Sequence, residues 1–117
     1  MADLTLKRHD TFPTIKMVLE QVNEETGKKE AVDLTAALKV TLIMKSGSTV
    51  LEIPCTIAKA KEGKIEAQLL AEDTATTGTW KAEVEVEWPE VGGKKQLETF
   101  PNESYKEIVI IEDLGAV

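Results

Sequence analysis

From Trp80 to Trp88 apolar and charged residues alternate without a fault: Trp80, Ala82, Val84, Val86 and Trp88 against Lys81, Glu83, Glu85 and Glu87. That period of two predicts a β-strand with one buried and one solvated face. A helix would scatter the glutamates around its circumference. Pro89 is expected to end the strand.

The same period runs through Leu38, Val40, Leu42 and Met44, and Ser46-Gly47-Ser48 supplies a turn after it. Residues 49–58 then place Leu51, Ile53, Cys55 and Ile57 on one face and Glu52, Pro54 and Thr56 on the other. A proline cannot donate to a ladder, so this strand is expected to be an edge or to carry a bulge at Pro54. Past the charged turn Lys59 to Gly63, Ile65, Ala67 and Leu69 alternate again, which makes a three-stranded meander. Residues 71–77 have room for one helical turn ended at Gly78. Near the front, residues 14–22 read as a strand with Ile15, Met17 and Leu19 on one face, followed by a polar hairpin tip from Asn23 to Lys29.

Val91-Gly92-Gly93-Lys94 is a hairpin turn into a strand at residues 96–100, and Asn102-Glu103-Ser104 is expected to bend the chain into a last strand at 105–112. There Ile108, Val109, Ile110 and Ile111 are all apolar, which predicts burial on both faces. Seven or eight short strands at this spacing predict an all-β, immunoglobulin-like antiparallel β-sandwich filling one domain over residues 1–117. Both phenylalanines lie in the same tripeptide, Thr11-Phe12-Pro13 and Thr99-Phe100-Pro101. They are expected to form two corners, each ring plugging the core as each proline stops a ladder.

Composition narrows the function classes. A net charge of -7, from 21 acidic and 14 basic residues, disfavours grip on phosphate backbones or anionic lipid. No partner of nucleic acid or membrane is therefore expected. Cys55 is the only cysteine, so no intrachain disulfide can form. The N-terminus lacks a signal-peptide pattern and no apolar run approaches a membrane span. Synthesis in a reducing cytoplasm is expected.

No cluster of residues demands chemistry. His9 and Cys55 would have to form any Cys-His nucleophile, and Cys55 falls on the apolar face of its strand. Asp10, Asp33, Asp73 and Asp113 fall in predicted loops without calcium-loop spacing, and loop aspartates more often cap turns. Aromatic residues are scarce and the tryptophans face inward, so a sugar-stacking shelf is not indicated, and Gly92-Gly93 lacks the spacing of a phosphate loop. No catalytic, cofactor or metal residues and no small-molecule substrate are expected.

Several segments in order resemble the small N-terminal β-sandwich of BppU-type upper baseplate proteins of tailed phages that infect Gram-positive bacteria. They are His9-Asp10-Thr11-Phe12-Pro13, Val32-Asp33-Leu34-Thr35-Ala36, Asp73-Thr74, Gly78-Thr79-Trp80-Lys81-Ala82-Glu83, and Thr99-Phe100-Pro101 through Tyr105 and Ile108 to Ile110. Together they span about residues 5–112. The chain departs from the family pattern at His9 and Ala36, where glycine is usual, and it stops at Val117 without a following coiled coil.

The resemblance implies a virion structural protein of the tail, baseplate or neck, with other virion proteins and copies of itself as partners. A capsid decoration protein and a carbohydrate-binding or adhesin-like module are the alternatives. For an assembly role, apolar groups placed where a lone domain would be wet become candidate interface residues: Val18, Val22 and Ile43, with Ile108 and Ile110 from the last strand. Exposed edges, the last strand included, are expected to accept neighbour strands.

Overall fold

The computed structural model describes residues 3–101, 106–112 and 114. They form ten strands: β1 (Leu4–Lys7), β2 (Ile15–Val18), β3 (Glu20–Val22), β4 (Lys29–Ala31), β5 (Lys39–Ser46), β6 (Thr49–Lys59), β7 (Lys64–Ala67), β8 (Gly78–Val91), β9 (Lys94–Phe100) and β10 (Lys106–Ile111). Two short 3-10 turns, Ala60–Glu62 and Ala71–Thr74, are the helical elements among the described residues. The chain is all-β. No described helix is long and apolar enough to cross a membrane.

Eight strands form one curled sheet in the order β1-β10-β8-β5-β6-β7-β2, with β9 also on β8, while β3 and β4 make a separate hairpin. Every pairing is antiparallel except β1 with β10. β8 is the longest strand, and its alternation places Trp80, Ala82, Val84 and Val86 in the core. β5 runs along one edge of it, opposite residues 81–87. The other edge is shared: β10 pairs with residues 78–82 and β9 with residues 84–91.

The chain therefore leaves that edge at Phe100, opposite Val84, and rejoins it at Lys106, opposite Ala82. The second Thr-Phe-Pro segment interrupts one continuous edge. The bend expected at Asn102-Glu103-Ser104, and Tyr105, lie outside the described residues. Phe100 is buried at 2% exposure, because its register puts it on the inward row with Val84.

The first segment behaves differently. Phe12 precedes β2, has no ladder to turn it inward, and is 70% exposed. The expectation that both rings plug the core is corrected at Phe12. Both Phe-Pro peptide bonds are cis. His9, where the resembled family carries glycine, has φ of 68°, the left-handed region glycine favours. Ala36, the other departure, has no such φ: among the described residues His9 is the only non-glycine with positive φ.

The other prolines also depart from expectation. β8 continues past Pro89 to Val91, with the register shifting between Trp88 and Val91, so the proline sits where the ladder is already broken. Gly92 and Gly93, at φ of 60° and 75°, then close a two-residue hairpin. No bulge falls at Pro54, and although β6 stands between β5 and β7, Pro54 pairs on its β5 side alone, so the expected edge is local to this stretch. Residues 49–54 of β6 pair with β5 and residues 55–59 with β7, so Pro54 is the last residue before the strand changes partners. The irregularity in β6 comes later, between Ile57 and Lys59.

Residues 14–22 form two strands because the chain changes partners at Leu19. β2 pairs with β7, whereas β3 pairs with β4. Between them the buried Leu19 donates its N–H to the Gly63 carbonyl (2.8 Å) and accepts at its own carbonyl from Val32 N–H (2.9 Å). Gly63 ends the first 3-10 turn with φ of 64°, and a Cβ there would lie 2.6 Å from the Leu19 oxygen and 3.0 Å from that of Val32. Three backbone segments thus meet where no side chain fits. Leu38, expected on the core face of β5, precedes that strand and is 61% exposed, its N–H given to Glu87 (2.8 Å).

This packing sets the expected cost of four substitutions. Phe100→Ala is expected to cost about 3–5 kcal/mol in chemical denaturation, and Phe12→Ala less than about 0.5 kcal/mol. Gly63→Ala is expected to cost more than about 2 kcal/mol, whereas Gly47→Ala, with positive φ but open space around it, is expected to cost about 1 kcal/mol.

Candidate assembly surfaces

The residues expected to make an interface separate into three groups. Val18 in β2 and Val22 in β3 are 51% and 57% exposed. Ile43 is half-buried on the outer face of the sheet, with Glu52 and Glu83 as its cross-strand neighbours. Ile108 and Ile110 are core residues, which corrects their placement at an interface. β10 lies between β8 and β1, so its inward row is covered and its edges are taken. The apolar run still obeys the strand period, since Val109 is half-buried and Ile111 exposed.

Free edges lie elsewhere. β2 and β1 end the curled sheet, and β9 has β8 on one side only. Lysines at positions 94 and 95 open β9, the type of residue that discourages indiscriminate strand pairing. Further exposed apolar residues are Val50, Leu70, Val91 and Leu97. Leu97 stands three residues before Phe100 and so falls on the opposite face of β9, a break in alternation visible in the sequence; Leu70 follows the buried Leu69 directly, and that doublet is its only signal.

An open groove of about 800 Å³ lies between the β2–β3 segment and the junction of β9 with β10. The exposed Val18 and Val22 line it with Pro101, over the buried Ala82, Val84 and Phe100. The sequence marks Val18, Val22 and Phe100 separately; their meeting requires the curl of the sheet.

The Thr11-Phe12-Pro13 corner is held by named contacts. Gln68 donates its side-chain N–H to the Thr11 carbonyl (2.6 Å) and accepts from the Thr14 hydroxyl (2.9 Å). The buried Thr74 donates its hydroxyl to the Asp10 carbonyl (3.0 Å) and accepts the His9 N–H at its own carbonyl (3.1 Å). The corner carries Phe12 and Pro13 outward on a fixed support.

The groups with nucleophilic or ligand chemistry have other tasks. Cys55 points its thiol toward the Ile53 carbonyl (3.8 Å), and burial pushes its pKa up to about 11. Asp33 accepts the Thr35 hydroxyl and backbone N–H, and these bonds hold its carboxyl below the usual range. Asp73 accepts the Leu70 N–H (2.8 Å) at the start of the second 3-10 turn. Among the described residues no three of His, Cys, Asp and Glu gather to hold a metal ion, and Asp113 lies outside them.

No protein-family model matches the chain, and no curated protein matches it either. The fold is shared with a solved structure, the N-terminal domain of phage TP901-1 ORF48. The TM-score is 0.62 and the identity 14%, over 93% of this chain and 84% of that one.

Proposed function

We propose that this chain is a non-enzymatic structural component of a tailed-phage particle, in its tail, baseplate or neck, acting by protein-protein assembly. The observation that carries the reading is the fold shared over 93% of the chain with the N-terminal domain of a phage protein. The resemblance of its ordered segments to BppU-type upper baseplate proteins points the same way. In this reading the curled sheet is an immunoglobulin-like sandwich, with β6 passing from one layer to the other at Pro54. Other virion proteins and copies of the chain are its partners.

The side chains support action without turnover. The thiol is held protonated, and the two loop carboxylates described above are engaged by neighbouring backbone. What the surface offers is apolar: Phe12, Val18, Val22 and Leu97 are each more than half exposed.

Mass spectrometry of purified particles of the encoding phage, separated into heads and tails, tests the proposal. The chain is expected in the tail fraction. Recovery with heads would favour a capsid decoration protein, and absence from both would overturn a structural role.

A further inference from the structure

A sheet edge without a neighbour presents a row of unpaired N–H and C=O groups, and chains usually blunt it with a proline, a bulge or a very short strand. The free edges of β1 and β2 are four residues long each. β9 has seven residues and no proline. Where its pairing with β8 is irregular the extra residue lies in β8, since Trp88 stands opposite Gln96 and Val91 opposite Lys94. β9 therefore keeps its own alternation, with Lys95, Leu97 and Thr99 exposed and Gln96 and Glu98 half-buried. Among the described residues β8 is its one strand partner.

The start of β9 also stands clear of the core. Residues 89–95 are all exposed, and β5 accompanies β8 only as far as Glu87. The β8–β9 hairpin is thus an arm that projects past the rest of the sheet. Two such arms laid side by side in opposite directions keep their cores at opposite ends of the paired segment, where neither obstructs the other.

Charge names the occupant of that edge and its register. β9 is basic at Lys94 and Lys95 and acidic at Glu98, so in the antiparallel sense it is complementary to itself. A twofold axis at Lys95 or at Glu98 would set that residue against its own copy, and like charges directly opposite destabilise a sheet. An axis at Leu97 makes no ion pair. An axis at Gln96 sets Lys94 against Glu98 twice. One oxygen of the Glu98 carboxylate accepts the Trp88 indole N–H (3.1 Å), which orients the group. On the other face the same axis sets Lys95 against Leu97 twice. The Lys95 ammonium lies 3.5 Å from Glu87, and its stem would cover the Leu97 of the second copy, a side chain otherwise 52% exposed.

We propose that β9 pairs antiparallel with β9 of a second copy about a twofold axis at Gln96, joining two curled sheets into one. The contact uses the same patch on both copies, so it is isologous and stops at the dimer. It rests on the reading of the chain as an assembly protein and names the edge through which copies meet.

Sedimentation velocity over a range of concentrations tests it with the wild-type chain, Lys94→Glu, Glu98→Lys and an equimolar mixture of the two variants, with thermal melts to check that each chain folds. Wild type is expected to form a dimer and nothing larger. Each variant alone places like charges opposite each other twice and is expected to weaken the dimer about tenfold or more. One variant strand is acidic at both positions and the other basic at both, so the mixture is expected to form a mixed dimer that neither makes alone. The register is read separately in a Cys55→Ser background, where Gln96→Cys is expected to cross-link the dimer under mild oxidation and Leu97→Cys is not. That arm leaves both charges in place and decides the matter even if Glu98→Lys does not fold. Association unchanged by Lys94→Glu, a mixture of folded variants that stays monomeric, cross-linking through position 97 instead of 96, or a wild type monomeric at every concentration would each overturn the contact. None of these results alters where the chain is found in particles, so failure of the contact is distinguishable from failure of the structural role.

Discussion

β8 carries the fold because both of its edges and one of its faces are committed at once. β5 covers one edge, β9 and β10 divide the other, and its inward row supplies the wall against which the remaining core residues pack. Hydrogen-bonded pairing and apolar burial therefore depend on the same residues. A fault in the alternation would move several side chains across the sheet together, since register and facing are coupled by the period of two.

The division of one β8 edge between β9 and β10 has a structural consequence for the outside of the molecule. The chain leaves the ladder after Phe100 and returns to it by Lys106. β2, the last strand at the other end of the curl, has β7 as its one strand partner among the described residues. The groove runs beside β2 on the side away from β7. Gly63 sets how tightly the far side can curl, for it lets the Leu19 and Val32 backbones approach as no other residue would.

The identical tripeptides show how little a local word decides by itself. Phe100 ends a strand whose register points it inward, and it becomes one of the largest fully buried side chains. Phe12 stands in a loop whose orientation is imposed by Gln68 and Thr74, more than fifty positions away in sequence. The carboxylates of Asp33 and Asp73, by contrast, are legible in the sequence as local structural groups, because their partners lie within three residues along the chain.

By itself the sequence determined the all-β class, the inward rows of β5, β7 and β8, and the turns at Gly47, Gly63 and Gly92-Gly93. These depend on alternation and on backbone freedom, which act over two to four residues. Only the tertiary structure decided that Ile108 and Ile110 are core while Phe12 is surface, that Pro54 marks a change of partner and Pro89 a break in register, and that Val18, Val22 and Phe100 meet at one groove. Burial and contact of that kind depend on which distant strands cover a residue, and pairing at long sequence separation leaves no local period to read.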